Sequence, residues 1–207
     1  MLEPAQETLK QYWGYTSFRP MQEEIISEAL AGRDVLAILP TGGGKSVCFQ
    51  VPSMMREGIC LVVSPLIALM KDQVQNLRDR GIPALAVHSG MTYHEIDITL
   101  DNAVYGEYKF LYVSPERLRT EMFQARLSRM NVNFLVVDEA HCISQWGYDF
   151  RPDYLVIADI RKILGKTVPV IALTATATPQ VAEDIMDKLA FAHLNKLVGD
   201  FARPNLS

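Results

Sequence analysis

The sequence has few cysteines, no long apolar run and no basic segment leading into one at its start. Among 207 residues it holds only Cys48, Cys60 and Cys142. This odd number, without paired ligand spacing, supports neither a disulfide framework nor a zinc site, and it suits a reducing compartment. No stretch approaches the roughly 18 apolar residues of a membrane span. The sequence therefore predicts no membrane segment and no export signal, and a cytoplasmic or nuclear location is expected.

An excess of basic residues is also missing. The chain has 20 Lys and Arg against 24 Asp and Glu, a formal net charge of -4. Any contact with a polyanion must therefore depend on local features. The 49% hydrophobic content and the length predict a globular chain with a large core. No repeat, low-complexity tract or internal linker divides it.

Short β-rich apolar runs alternate with longer segments of helical periodicity. Their inner residues are apolar on both faces, as expected for strands that are covered by helices on each side. This alternation predicts an α/β fold with a mainly parallel, doubly wound sheet, and ligands at the carboxyl ends of its strands. The candidate strands are residues 34–39, 60–64, 84–88, 109–114, 134–138 and 169–174, with 196–199 as a further candidate.

Two helices between these strands have clear boundaries or faces. Pro20 stands where a first helical turn accepts proline, and Gly32 stands where that helix would end. A second helix is predicted before Gly81. Its apolar stripe consists of Leu66, Leu69, Met70, Val74 and Leu77.

The segment "LPTGGGKS" at 39–46 follows a candidate strand and precedes a helical run. Consecutive glycines let successive N–H groups approach phosphate oxygens at the positive end of a helix. Lys45 would bind the β and γ phosphates, and the Ser46 hydroxyl would bind Mg²⁺. Leu39 stands where the strict pattern has glycine, and the alternative is a plain turn. The predicted phosphate-binding residues are Thr41, Gly42, Gly43, Gly44, Lys45 and Ser46.

The segment "NFLVVDEAH" is a buried strand that ends in two adjacent carboxylates. Asp138 is suited to the Mg²⁺ shell, and Glu139 is suited to orient or deprotonate a water that attacks the γ phosphate. The alternative is that the pair only caps the next helix. Together with the phosphate loop, the pair predicts hydrolysis of a nucleoside triphosphate.

Two segments are rich in aromatic residues. In "YWGYTSFRPMQ" at 12–22, Tyr15 and Gln22, with Arg19 between them, could stack on and read adenine. The alternative for this segment is a hydrophobic anchor at the N-terminus.

The second aromatic segment, "SQWGYDFRPDY" at 144–154, closely follows the acidic pair. Trp146, Phe150 and Arg151 suit single-stranded DNA, because bases stack on aromatic faces and arginine binds phosphate. Tyr148 and Tyr154 are predicted to pack in the protein instead.

Taken together, these segments resemble the first RecA-like motor domain of RecQ-family DNA helicases, in superfamily 2. The resemblance runs from about Leu9 to the end, in the order that the family shows. Its motifs here are "GYTSFRPMQ", "LPTGGGKS", "VVSPLIALMKDQV", "YVSPERL", "VVDEAH", "SQWGYDFRPDY" and "ALTATAT".

The resemblance implies an enzyme that uses ATP and Mg²⁺ to move along single-stranded DNA and unwind duplex, in the nucleoid or the nucleus. Tyr15, Arg19 and Gln22 would then contact adenine. Ser64 lies in a segment that borders DNA in the family. His141, Gln145, Thr174 and Thr176 would relay the nucleotide state to DNA, although His141 could be a satisfied core histidine and the threonines could cap a strand end.

The resemblance also implies a second RecA-like domain, to which residues 199–207 would connect, so the 207 residues are expected to show little activity alone. Two alternatives remain from the sequence. One is another superfamily 2 motor, acting on RNA or duplex DNA. The other is a scaffold that binds nucleotide without hydrolysing it.

Overall fold

The computed structural model describes residues 2–40, 42 and 44–199, which form one sheet covered by helices on both faces. Every observed strand pairing is parallel, in the order β3-β4-β2-β5-β6-β1-β7. The predicted parallel sheet is confirmed, and each strand overlaps a predicted one. The strands are β1 Val35–Ile38, β2 Ile59–Val63, β3 Ala84–Val87, β4 Phe110–Val113, β5 Val132–Val137, β6 Val170–Thr174 and β7 Lys196–Val198.

Eight helices cover this sheet within the described ranges. They are α1 Leu2–Trp13, α2 Gln22–Leu30, α3 Lys45–Met54, α4 Ile67–Asp79, α5 Tyr93–Tyr105, α6 Glu121–Leu127, α7 Val156–Leu164 and α8 Pro179–Lys188. Helices α2, α3 and α4 cover one face, with α1 packed outside on α2 and α3, and α5 to α8 cover the other. None of these helices is both long and apolar enough to cross a membrane.

The sheet separates two large apolar cores. Along β1, Leu36 and Ile38 point into the core under α5 to α8, whereas Val35 and Ala37 point into the core under α2 to α4. Strands β1, β2, β4, β5 and β6 are buried at every residue. This burial on both faces explains why the sequence shows continuous apolar runs rather than alternation.

The predicted start of α2 was wrong. Pro20 lies before the helix, in a turn closed by a 3.2 Å hydrogen bond from the Gln22 amide to the Arg19 carbonyl. Met21 then has φ 73° and takes the residue before the helix into the left-handed region. Gly32, with φ 80°, ends the helix as predicted.

The apolar stripe of α4 is shorter than predicted. Met70, Val74 and Leu77 are buried, but Leu66 and Leu69 are 43% and 45% exposed. Leu66 precedes the helix in extended conformation. Leu69 lies next to Met70, one residue around the helix from the buried stripe.

One ion pair is buried where β1 begins. The side chains of Asp34 and Arg161 are 4% and 2% exposed, and both carboxylate oxygens accept from Arg161 at 3.0 and 3.1 Å. Asp34 also accepts from the amides of Val170 at 2.9 Å and Ala192 at 3.0 Å. This carboxylate joins β1, β6, α7 and the segment after α8, and nothing in the sequence patterns predicted it.

Candidate functional site

The predicted site residues meet at the carboxyl edge of the sheet. Strands β1, β5 and β6 are neighbours, so the segments that follow them emerge side by side. The phosphate loop follows β1, Asp138 follows β5, and β6 ends at Thr174. Lys45 Nζ lies 3.9 Å from Glu139 Oε1. The sheet therefore brings the lysine and the acidic pair together across a long separation in sequence.

The phosphate loop is held by two side chains from the segment before α2. Arg19 Nη1 donates to the Gly42 carbonyl at 2.7 Å, and Gln22 Nε2 donates to the Gly44 carbonyl at 3.0 Å. Gly44 has φ 71°, and a Cβ there would lie 2.3 Å from Gln22 Nε2. Glycine is therefore required at position 44 by both its backbone angle and its neighbour. Thr41 and Gly43, which were predicted to bind phosphate, lie outside the described residues.

Gln22 is buried, and its amide is fixed at both ends. Its Oε1 accepts from the Arg19 amide at 2.7 Å while its Nε2 holds Gly44. A primary amide has two N–H donors and two acceptor lone pairs. One donor and one lone pair therefore remain for a ligand, and the bonds to Arg19 and Gly44 set their direction.

A cavity of about 280 Å³ adjoins this clamp. One wall contains the predicted adenine residues Tyr15, Arg19 and Gln22, together with Gly44 and Ser46. The opposite wall comes from α4, which the sequence did not connect with this site. Apolar periodicity identifies the buried stripe of a helix but says nothing about what its polar residues face. The additional residues of that wall are Gln73, Asn76, Leu77 and Arg80.

The acidic pair has distinct environments. Burial raises the pKa of the Asp138 carboxyl, the adjacent Glu139 charge raises it further, and Lys45 opposes both effects. Asp138 Oδ1 accepts from the Glu139 amide at 3.0 Å. Glu139 has φ 50° and ψ 47°, and its side chain makes no capping bond to the 3-10 helix Ala140–Ile143 among the described residues. The capping alternative is therefore wrong for Glu139, and Asp138 is a buried anion site that a cation would stabilise.

His141 connects the acidic pair to the end of β6. Its Nδ1 lies 2.8 Å from Thr174 Oγ1 and 3.6 Å from Glu139 Oε2. Thr174 donates its hydroxyl hydrogen to the Thr176 carbonyl at 3.1 Å, so its oxygen accepts from His141 and Nδ1 carries the proton. Burial lowers the pKa of His141, which keeps the ring neutral. His141 is thus a satisfied buried histidine, Thr174 closes the turn after β6, and both contact the acidic site.

The aromatic loop, residues 144–154, is pinned at both ends. The Gly147 amide donates to the Ser144 carbonyl at 3.1 Å, and the Arg151 amide donates to the Cys142 carbonyl at 2.9 Å. Trp146 is 65% exposed, and Phe150 and Arg151 are half-buried. The loop therefore presents the three predicted DNA residues outside the core.

The two tyrosines of this loop differ. Tyr154 is buried as predicted, and its hydroxyl donates to the Asp138 carbonyl at 2.8 Å. The packing prediction for Tyr148 was wrong, because this residue is 78% exposed. Its ring stacks on His141, with centroids 4.8 Å apart and planes 16° apart. One exposed aromatic ring thus covers the histidine that touches Glu139.

Three further predicted residues lie close to this edge. Ser64 is buried at the end of β2, where its amide donates to the Val113 carbonyl at 3.2 Å. Gln145 and Thr176 are exposed. They lie beside the aromatic loop and the turn after β6.

His141, Cys142 and Asp149 place possible ligand atoms within 4.8 Å of one another. Burial raises the pKa of the Cys142 thiol to about 12. Arg151 pairs with Asp149 at 3.4 Å, and His141 already bonds Thr174. This cluster is explained by hydrogen bonds and an ion pair, which leave the thiol protonated.

Comparison with known proteins agrees with this site. The sequence matches the DEAD/DEAH box helicase family over residues 19–185. It is 46% identical over 98% of its length to a Bacillus subtilis protein named "Probable ATP-dependent DNA helicase RecS", and covers 40% of that protein. It is 44% identical over 98% of its length to the ATP-dependent DNA helicase RecQ of Haemophilus influenzae, and covers 32% of it.

The fold has a close counterpart among solved structures. The Hef helicase domain of Pyrococcus furiosus superposes with a TM-score of 0.69 at 23% identity, over 87% of this chain and 38% of that one. At this identity the likeness concerns the fold alone. The chain thus spans about two fifths or less of the curated relatives it matches. Since the family match covers most of its length, the chain belongs to the DEAD/DEAH box helicase family, and the RecQ resemblance predicted from its motifs is confirmed.

Proposed function

We propose that residues 1–207 form the first RecA-like domain of a RecQ-like motor, which binds ATP with Mg²⁺ and uses its hydrolysis to move along single-stranded DNA and separate duplex. The observation that carries this proposal is the meeting of Lys45 with Glu139 at 3.9 Å, beside buried Asp138. A lysine, a hydroxyl and two carboxylates at one sheet edge match the needs of phosphoryl transfer.

The residues present fit a magnesium ion. Mg²⁺ prefers oxygen ligands, and Asp138 offers a buried carboxylate whose raised pKa reflects the cost of its charge there. Ser46, in the first turn of α3, offers a hydroxyl. When bound, the ion would neutralise charge on the β and γ phosphates. We assign Asp138 and Ser46 to hold it.

Lys45 and Glu139 have linked roles in this proposal. Without nucleotide, Lys45 faces the Glu139 carboxylate. Phosphate oxygens would compete for the lysine, and Glu139 would then be available to orient a water or accept its proton. His141 Nδ1–H contacts the second oxygen of Glu139 at 3.6 Å and would keep this carboxylate directed.

Changing Lys45 to alanine tests the nucleotide site. We expect the Kd of the 207-residue chain for Mg·ATP to rise about 10-fold or more, because a charge-assisted contact to phosphate contributes roughly 1.5–3 kcal/mol. The measurement is isothermal titration calorimetry. Lys162→Ala, an exposed lysine of α7 on the other side of the sheet, is the matched control. Equal affinities for the wild type and Lys45→Ala would contradict the proposal.

On the DNA side, we assign base stacking and phosphate contact to Trp146, Phe150 and Arg151. The exposure of Trp146 and the pinned loop ends support this assignment. A short chain of contacts runs from the same loop through Tyr148 to His141 and from there to Glu139. Movement of the loop on DNA would therefore reach the hydrolytic carboxylate through two contacts. Gln145, Ser64, Thr174 and Thr176 would border this route.

Changing Trp146 to alanine is expected to reduce the stimulation of hydrolysis by single-stranded DNA about 10-fold, since stacking contributes about 1–3 kcal/mol per base. The measurement is the steady-state ATPase rate with and without DNA, in a protein that joins this chain to its second RecA-like domain. Tyr105→Ala, an exposed aromatic that ends α5, is the control. Unchanged stimulation in the Trp146 variant, or stronger stimulation by RNA or duplex DNA in the wild type, would count against this role.

The other proposed partner is that second RecA-like domain, which would complete the ATP site across a cleft. The connector predicted at 199–207 lies outside the described residues except for Gly199. A protein acting on DNA in this way would work in the nucleoid or the nucleus.

A further inference from the structure

A buried oxygen in the wall of the nucleotide cavity lacks a partner. Gln73 Oε1 is inaccessible and makes no hydrogen bond within the described residues. A buried amide oxygen left unpaired costs about 1–3 kcal/mol. Native structures seldom leave such a group without a role, which is often contact with a ligand or a water. Gln73 lines the cavity that also contains Tyr15, Arg19 and Gln22.

Gln73 is held in place by the packing of α4. Met70, Val74 and Leu77 fix the helix against the sheet. At its end, Arg80 Nη1 donates to the Tyr12 carbonyl at 3.0 Å, and its guanidinium lies 5.9 Å from the centre of the Trp13 ring. Residues three and four apart share a helix face, so Gln73, Leu77 and Arg80 form one wall. This wall is tied to α1 and does not depend on a ligand for its position.

The cavity has the character of a site for a flat base with an amino group. Trp13 and Tyr15 provide aromatic surface, and Gln22 retains one donor and one acceptor beside Gly44. Its volume of about 280 Å³ lies near the lower end of small-ligand sites, which span about 300–1,000 Å³. The buried Gln73 Oε1 adds one acceptor on the wall opposite Gln22.

We infer that Gln73 selects the base of the bound nucleotide, with its Oε1 accepting a hydrogen bond from the 6-amino group of adenine. Guanine has a carbonyl oxygen at this position, so it would set two acceptors against each other in a buried place. This inference rests on the proposed function, because it takes the cavity to hold the base of ATP. It gives α4, which sequence reasoning connected only with DNA, a contact to the nucleotide.

The test measures the Kd values of the 207-residue chain for Mg²⁺ complexes of ATP, GTP and purine riboside triphosphate, which lacks the amino group. In Gln73→Leu we expect ATP to bind about 5- to 10-fold more weakly, with purine riboside triphosphate almost unaffected, as removal of one hydrogen bond predicts. The preference for ATP over GTP should fall by a similar factor. Removing either partner of one hydrogen bond should have the same effect as removing both.

Gln75→Leu is the matched control, because Gln75 lies on the same helix, faces another cavity and bonds Asp79 at 2.8 Å. Gln73→Asn, which keeps the amide but withdraws it by one methylene, should also lose the preference and guards against a folding defect of the leucine variant. Equal weakening of all three nucleotides, or unchanged ratios, would overturn the inference while leaving the proposed function intact. If the wild-type chain binds no nucleotide, the proposed function fails and the inference fails with it.

Discussion

Glu139→Gln is expected to slow ATP hydrolysis by about 10²–10⁴-fold, the range over which a positioned general base contributes to rate. The amide keeps the size of the side chain but cannot accept a proton from water. Binding of ATP should persist or strengthen, because Lys45, now 3.9 Å from the Glu139 carboxylate, loses a competing anion. The measurements are the DNA-stimulated ATPase rate of the protein with both RecA-like domains, and the Kd of this chain for Mg·ATP.

This separation of binding from hydrolysis distinguishes Glu139 from Lys45. A lysine variant should lose affinity, whereas the glutamate variant should keep affinity and lose turnover. Glu107→Gln is a suitable control, since Glu107 is exposed just before β4. Turnover within a few-fold of the wild type in Glu139→Gln would show that another group activates the water.

Asp34→Leu is expected to lower the free energy of unfolding by about 3–5 kcal/mol, the usual cost of removing one partner from a buried ion pair. Arg161 would keep its charge in a place where its side chain is 2% exposed. The amides of Val170 and Ala192 would also lose their acceptor. Urea unfolding of the 207-residue chain, followed by circular dichroism, measures the change.

Two further variants identify the cause of this loss. The double variant Asp34→Leu with Arg161→Met should recover part of the stability, because no unpaired charge remains. Arg33→Ala, which breaks the exposed pair with Glu28 at 2.7 Å, should leave the unfolding midpoint close to that of the wild type. A small loss for Asp34→Leu, no larger than that for Arg33→Ala, would show that water replaces the carboxylate.

Much of the fold follows from local patterns. The strand before the phosphate loop and the strand before Asp138 could be identified because burial on both faces leaves continuous apolar runs. The order of strands and helices then implies a parallel sheet, and a parallel sheet places all its strand ends at one edge. The meeting of Lys45 and Glu139 was therefore expected before any coordinates were known.

Other features depend on contacts that no local pattern records. Tyr148 looked like a packing residue, since composition cannot tell an aromatic in the core from one that covers a single buried imidazole. Leu69 has the spacing of a helix stripe but lies one residue from the buried face of α4. In both cases the surroundings of the side chain, rather than its chemistry, determine its role.

By itself, the sequence determined the parallel α/β fold, the phosphate loop and the acidic pair, because each is written in a short run of residues whose spacing the backbone preserves. Only the tertiary structure decided that Gln22 clamps Gly44 across 22 residues, that Asp34 pairs with Arg161 across 127 residues, and that α4 lines the nucleotide cavity. These contacts join elements whose separation is set by packing between helices and sheet. Periodicity reports only how one element is buried and not which polar groups meet when two elements pack together.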